Sequence, residues 1–209
     1  MKNKKHYIQT AKNGRKWIGL LIGLILSACS TTRNLPDGET LYIGVKDMEV
    51  VNEDKTPAGI TALEEVEAAL SYPPNNAILG SNSLRWPLPT GLWIYNSFQK
   101  YEDKKGIGRW IYDHLGTPPV LVSNVNPATR VKVATNLLRD YGFFNGSVSY
   151  EEIAQKNPKE AKLSYRIDMA NPYYLDSIAY LNYPEKADSL IKATRKQSAL
   201  KSGENFSVI

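Results

Sequence analysis

The chain has 209 residues, which is the length of one or two ordinary domains. With 42% hydrophobic and 22% charged residues, its composition is that of a folded protein rather than a disordered one. A single cysteine excludes an intrachain disulfide and a cysteine-rich zinc site. No motif for a metal or a cofactor is present, and we expect neither.

The net charge of +5 raises the question of nucleic-acid binding, so the position of the charge matters. Residues 1–28 carry six basic residues and no acidic one, and the remaining chain has 20 basic and 21 acidic residues. The basic character therefore belongs to the N-terminal segment, and we expect no nucleic-acid partner.

Residues 1–28 have the parts of a secretory signal peptide: a cationic stretch, an apolar run from Trp17 to Leu26, and small residues at the end. The apolar run has ten residues, whereas a membrane-spanning helix needs about 20. The stretch Leu26-Ser27-Ala28-Cys29 resembles a bacterial lipobox, in which the cysteine becomes the acylated N-terminus. We therefore predict a signal peptide over 1–28 and lipidation of Cys29. An uncleaved signal that anchors the chain, or an ordinary signal peptide with a chance cysteine, stays open as an alternative.

The first elements after the leader follow from local patterns. Residues 29–39 predict a short polar tether between the lipid and the fold. Leu41–Val51 is rich in β-branched and apolar residues and predicts a strand. Asn52–Gly59 predicts a loop, and Thr61-Ala62-Leu63-Glu64 matches a capping box that would start a helix ending before Pro73.

Residues 73–122 form a segment dense in aromatic side chains and interrupted by proline and glycine. Two short helices are predicted within it, Gly91–Tyr101 and Ile107–Leu115. The segment has two interpretations that the sequence leaves open. Its tryptophans either pack as core on the neighbouring helices or form an exposed surface that binds carbohydrate or a protein.

The second half of the chain predicts a helix and a hairpin. Asn126-Pro127 is typical of a helix start, and Gly142 of a helix end. Ser147–Ala154 and Ala161–Met169 predict two antiparallel strands. Beyond a boundary at Asn171-Pro172, the pattern predicts a strand over Tyr173–Leu181 and a helix over Glu185–Leu200.

Without the insertion, the element order β-α-α-β-β resembles a POTRA domain, an α+β module of outer-membrane assembly proteins. The stretch from Gly142-Phe143-Phe144 to Val148 resembles the G-[YF]-F-x-x-x-V pattern of that domain. The lipobox, Leu35-Pro36-Asp37-Gly38-Glu39 and the long aromatic insertion resemble lipoprotein members of the BamA/TamA family. Further stretches that fit the same family are Asn76-Ala77-Ile78-Leu79-Gly80 and Gly116-Thr117-Pro118-Pro119-Val120.

The resemblance implies a POTRA-like domain over 40–171, with an insertion over about 73–122, and the start of a second such domain over 172–209. Members of the family continue into further POTRA domains and a membrane β-barrel. The resemblance also implies an outer-membrane lipoprotein facing the periplasm. Its partners would be outer-membrane protein clients or an inner-membrane translocation partner. The expected binding site is the edge strand, and its candidate residues are Ser147, Val148, Ser149, Tyr150, Glu151 and Glu152.

An enzyme is not expected. His114 is the only histidine outside the leader, and no nucleophile motif accompanies it. The alternative function is a free-standing lipoprotein that binds glycan or cell-wall polymer through its tryptophan-rich insertion. No small-molecule substrate is evident from the sequence.

Overall fold

A computed structural model describes residues 30–179, 183–198 and 200–207 of the chain. Cys29 and the rest of the leader lie outside these residues. Within them the fold is α+β, as expected, with a three-stranded mixed sheet and helices.

The sheet is built from β1 (Leu41–Val51), β2 (Ser147–Ala154) and β3 (Glu160–Asp168), in the order β1-β3-β2. β3 is central: it pairs parallel to β1 and antiparallel to β2. The predicted bounds of β1 and β2 are confirmed, and β3 begins and ends one residue earlier than predicted. The two strands of the predicted hairpin are joined by the turn at Asn157-Pro158.

Two long helices, α1 (Pro57–Leu70) and α5 (Pro127–Asp140), pack against each other on one face of the sheet. The alternation predicted for β3 is confirmed, because Leu163, Tyr165 and Ile167 are all buried. The side chains that make the core between helices and sheet come from every one of these elements. They include Val66 and Leu70 of α1, Ala134 and Leu138 of α5, and Tyr42, Val45, Phe143 and Val148.

The loop predicted over Asn52–Gly59 is confirmed for residues 52–56 but is wrong for residues 57–59, which are helical, and the predicted capping box at Thr61 is wrong. α1 begins at Pro57, and its N-cap is Thr56, whose hydroxyl accepts a hydrogen bond from the Gly59 N–H at 3.1 Å. Thr61 lies inside the helix and donates to the Pro57 carbonyl at 3.0 Å. The Thr-Pro pair is the stronger start signal, since proline at the first helical position lacks only an N–H that would have had no partner.

The start and end predicted for the second long helix are confirmed. Asn126 caps α5 by accepting from the Thr129 N–H at 3.3 Å. At the other end Gly142 has φ of +87°, and the Phe143 N–H donates to the Leu138 carbonyl at 2.8 Å. This is a Schellman turn, and it directs Phe143 into the core, where it is fully buried.

The insertion contains α2 (Thr90–Phe98), a 3-10 turn (Gln99–Tyr101) and α3 (Ile107–Leu115), as predicted. A four-residue helix, α4 (Val122–Val125), leads from the insertion to α5. Neither interpretation of the tryptophans holds for the whole segment. Trp86 and Trp110 are 59% and 53% exposed, whereas Trp93 is half-buried and its indole nitrogen is fully buried. The neighbouring Leu92 is buried in a small second core with Leu35, Leu41 and Ile43.

The strand predicted over Tyr173–Leu181 is wrong for residues 173–179, where only Tyr174 makes an isolated bridge, to Asn205. Residues 180 and 181 lie outside the described part of the chain. α6 spans Glu185–Thr194 and is followed by a 3-10 turn over Arg195–Gln197, so the predicted helix was too long. The segment around Tyr173 instead folds back onto the end of α5. Its contacts are Tyr173 N–H to the Gly142 carbonyl at 2.9 Å and Asn205 Nδ2 to the Tyr141 carbonyl at 3.0 Å.

Candidate partner-binding edge

β2 forms one edge of the sheet, because no other strand of the described chain pairs with its outer side. The register opposes Gln155 to Glu160, and the Gln155 N–H donates to the Glu160 carbonyl at 3.0 Å. In an antiparallel ladder the residues that bond to the partner strand alternate along the strand. The backbone N–H and C=O groups of Val148, Tyr150 and Glu152 therefore point away from β3.

The predicted site residues divide between the two faces of the sheet. Val148 faces the helices and is buried, and Tyr150, two residues on, lies on the same side with 38% of its surface exposed. Ser147, Ser149 and Glu151 lie on the opposite, solvent-facing side and are exposed. The structure thus brings the six predicted residues onto one strand but presents only alternate ones toward the helices.

A shallow groove of about 430 Å³ runs between the edge and the start of α5. Glu39 forms part of its wall, where its carboxylate accepts a hydrogen bond from the Ser123 hydroxyl at 2.7 Å. The groove is lined mainly by polar and small side chains from four parts of the chain. They include Glu39, Thr40, Val122, Ser123, Asn126, Pro127, Ala128, Tyr150 and Glu152.

The solvent-facing side of the sheet is polar. Arg166 of β3 makes an ion pair with Glu49 of β1 at 2.6 Å, with both side chains more than half exposed, and Ser164 donates to the Asp47 carboxylate. Exposed pairs of this kind contribute little stability, typically below about 1 kcal/mol. They lie on the part of this sheet face that is exposed to solvent, beyond the segment of β1 that the second core covers.

A half-buried polar cluster around Arg130 joins the ends of two helices. Its guanidinium donates to the carbonyls of Ala69 and Val125, both at 2.8 Å, at the C-terminal ends of α1 and α4. It also lies 4.8 Å from the ring centre of Tyr72. Since a helix C-terminus carries partial negative charge, one cation stabilises both ends.

Two buried tyrosines complete this cluster. The Tyr42 hydroxyl donates to the Tyr72 carbonyl at 3.0 Å, whereas the Tyr165 hydroxyl has no hydrogen-bond partner within the described residues. Burial raises the pKa of Tyr165 to about 12, with Arg130 opposing the shift and Tyr150 adding to it. Burial also raises the pKa of Tyr42. Tyr150 lies directly opposite Tyr165 in the ladder.

The N-terminal segment of the described chain packs on the domain, which the sequence did not predict. The residues that follow Cys29 are not a free tether: Thr32 and Leu35 are buried, and the Thr31 hydroxyl donates to the Glu160 carboxylate at 2.9 Å. The Asn157 amide donates to the Thr32 hydroxyl at 3.1 Å. The stretch Thr31–Gly38 is polar and turn-rich. Because a docked segment and a free linker can share this composition, the sequence does not distinguish them.

His114 is the histidine of the described residues, and its surroundings are those of a surface residue. His114 is exposed, stacks on the Trp110 ring at 5.0 Å and bonds through Nδ1 to the Trp110 carbonyl at 2.9 Å. No cluster of potential metal ligands occurs among residues 30–179, 183–198 and 200–207. The helices of this part of the chain include none that is both long and apolar enough to cross a bilayer.

The chain was compared with known families, sequences and structures. No family model, no curated protein sequence and no solved structure matches the chain.

Proposed function

We propose that this chain is a periplasm-facing outer-membrane lipoprotein whose POTRA-like domain binds extended segments of outer-membrane protein clients or of a translocation partner. The observation that carries the proposal is the outward row of backbone groups on β2, at Val148, Tyr150 and Glu152. The order β1-α1-α4/α5-β2-β3, with the sheet order β1-β3-β2, supports the POTRA resemblance.

An added client strand would pair with β2 through backbone hydrogen bonds, which depend little on client sequence. The groove beside Tyr150 would take alternate client side chains, since side chains of a strand point to alternate faces. Glu151 and Glu152 keep the edge charged and soluble when no client is bound. Such a site suits a protein that handles many unfolded clients in turn.

The direct test is to remove outward N–H groups without disturbing the ladder to β3. We expect the double variant Tyr150→Pro/Glu152→Pro to fold, because proline is accepted at edge positions whose N–H is not paired. It should bind an extended outer-membrane-protein peptide at least ~10-fold more weakly, since each lost backbone bond contributes about 1 kcal/mol. The measurement is calorimetric titration with the peptide.

The matched control is Tyr150→Val/Glu152→Thr, which changes the same side chains but keeps both N–H groups. It should bind within a few-fold of the parent. Equal binding by a folded proline variant would rule out strand addition at this edge.

A second candidate, binding of glycan or cell-wall polymer, is favoured by the exposure of Trp86 and Trp110. Aromatic rings that present a free face are suited to stacking on sugars. Saturable quenching of tryptophan fluorescence by cell-wall oligosaccharide, lost in Trp110→Ala, would establish this function instead. Absence of quenching would remove it.

A further inference from the structure

The chain next to the predicted acylation site is fixed to the insertion. The Asn96 side-chain amide, on α2, donates to the backbone carbonyls of Ser30 at 3.0 Å and Thr31 at 3.3 Å. Asn34 in turn donates to the Asn96 carbonyl at 3.0 Å. Ser30, the residue that follows the predicted acylation site, therefore lies beside α2. A lipid attached there cannot leave the domain at the end of a long flexible linker.

An ordered loop with an apolar surface lies beside this point. The apolar loop (residues 76–88) is held by backbone bonds from Trp86 to Asn76 at 2.8 Å and from Ile78 to Leu84 at 3.0 Å. Trp86, Leu84 and Thr31 line one cleft of about 360 Å³. The loop and the residues that directly follow Cys29 therefore share one side of the domain.

The apolar loop exposes more hydrophobic surface than a loop of a soluble domain needs. Leu79, at its tip, is fully exposed, and Leu84 and Trp86 are each 59% exposed. Leu88 is 44% exposed. Large apolar side chains grouped on an ordered loop mark a surface that is covered by something else.

The charge on this side of the domain identifies what covers it. No aspartate or glutamate occurs between Glu67 and Glu102, a stretch that includes Arg85 and Lys100. The cleft itself is lined by Arg85 and by Glu160, whose carboxylate accepts a hydrogen bond from Thr31. Arg33, beside Asn34 and Lys100 in a second shallow pocket, adds a further positive charge. Leucine and tryptophan tips flanked by arginine and lysine fit the interface of a bilayer, where phosphates lie above the acyl chains.

We propose that the apolar loop inserts into the phosphate-bearing surface of the membrane in which the Cys29 lipid is anchored. The lipid and the loop would together fix the orientation of the domain, with the insertion toward the membrane and the long helices away from it. Acyl chains and an interfacial segment in combination give firm binding in a defined orientation, which a flexible lipid tether alone does not. This inference rests on the lipidation that is part of the proposed function.

The single native cysteine makes a site-specific test possible. In the acylated chain the Cys29 thiol is blocked, so introduced cysteines can be labelled alone with an environment-sensitive fluorophore. The variants are Leu79→Cys and Trp86→Cys in the apolar loop, with Val133→Cys on the exposed face of α5 as the matched control. The full-length lipidated protein is placed in vesicles of phosphatidylcholine and phosphatidylglycerol.

At positions 79 and 86 we expect a blue shift of the emission on reconstitution and quenching by spin-labelled lipids. At position 133 we expect neither. Equal emission at all three positions, or a blue shift at 79 and 86 that lipid spin labels do not quench, overturns the inference, and the second result means that protein covers the loop. Thiol labelling of the parent protein at Cys29 overturns the lipidation and this inference together. Client binding by the folded, unlabelled variants reports on β2 separately, so the two proposals fail in distinguishable ways.

Discussion

The side-chain amide of Asn96 donates to the backbone carbonyl of Ser30 at 3.0 Å, across 66 residues of sequence. This bond joins the first described residue of the chain to the middle of the aromatic insertion. The Asn96 carbonyl accepts from Asn34 at 3.0 Å, so a single residue holds the N-terminal segment at two points. The insertion therefore has a structural role at the N-terminus, whatever it binds.

Replacing Asn96 by alanine should release the N-terminal segment while the sheet stays folded. We expect the free energy of unfolding to fall by about 1–2 kcal/mol, because the hydrogen bonds from the Asn96 amide to the Ser30 and Thr31 carbonyls are lost. Amide exchange of residues 31–35 should accelerate by about 5-fold or more relative to the parent. Hydrogen exchange read by mass spectrometry checks this, with Asn124→Ala, an exposed asparagine of α4, as the control. Unchanged exchange in Asn96→Ala would mean that the buried Thr32 and Leu35 hold the segment without the bond.

The two threonines at the start of α1 should differ in their effect on stability. Thr56→Ala should cost about 1 kcal/mol, because the Thr56 hydroxyl satisfies the Gly59 N–H at the helix start. Thr61→Ala should change stability by less than about 0.5 kcal/mol, since Thr61 is exposed and only bonds back to the Pro57 carbonyl. Urea unfolding of both variants makes the comparison. A larger loss of stability in Thr61→Ala than in Thr56→Ala would instead support the capping box that the sequence suggested.

The sequence predicted best where the signal is local and strong. Alternation in β3 and the Asn126-Pro127 and Gly142 ends of α5 were all recognisable, because each pattern has one conformation that satisfies its backbone groups. The start of α1 was missed because Thr61-Ala62-Leu63-Glu64 also fits a capping box and was preferred to the stronger signal of Thr56-Pro57.

Parts of the fold that depend on distant partners were not predictable in this way. Tyr173 begins an apolar stretch that reads as a strand, yet its backbone bonds to Gly142 and Phe206 rather than to a sheet. The docking of Thr32 and Leu35 depends on Asn157 and Leu92, more than 50 residues away in the chain. The sequence identified the strand that forms the candidate edge. It did not show that the backbone N–H and C=O groups of Tyr150 point away from β3, because that follows only from the register of the ladder.

Gly142 provides a test of whether the C-terminal segment docks on the main domain. A Cβ at this position would meet the Phe206 carbonyl and, at 2.9 Å, the Asn205 Oδ1, and the left-handed backbone adds strain of about 1–2 kcal/mol. Gly38 has a similar φ of +79°, but a Cβ there would point into open space, so Gly38→Ala isolates the strain. We expect Gly142→Ala to destabilise the protein more than Gly38→Ala in thermal unfolding. Equal losses would indicate that residues 205–206 do not rest on this turn in solution.

The buried tyrosines should make the domain sensitive to alkaline pH. A tyrosine whose folded pKa lies above its usual value of about 10 contributes stability that is fully present below pH 10 and is lost as the pH rises toward the folded pKa. For Tyr165, with a pKa of about 12, the window is pH 10 to 12, and the loss across it is about 2–3 kcal/mol. Tyr165→Phe should leave stability near neutral pH unchanged or slightly higher, because the Tyr165 hydroxyl has no partner within the described residues. Above pH 10 the free energy of unfolding of this variant should fall less steeply with pH than that of the parent.

Tyr42→Phe is the matched comparison for Tyr165→Phe. It should cost about 1 kcal/mol at neutral pH, since the Tyr72 carbonyl loses its donor, while also reducing the alkaline loss. Urea unfolding at several pH values, followed by far-ultraviolet circular dichroism, measures both effects. Superimposable pH profiles for Tyr165→Phe and the parent would contradict the assigned pKa, because removing a group that titrates between pH 10 and 12 must change the slope there.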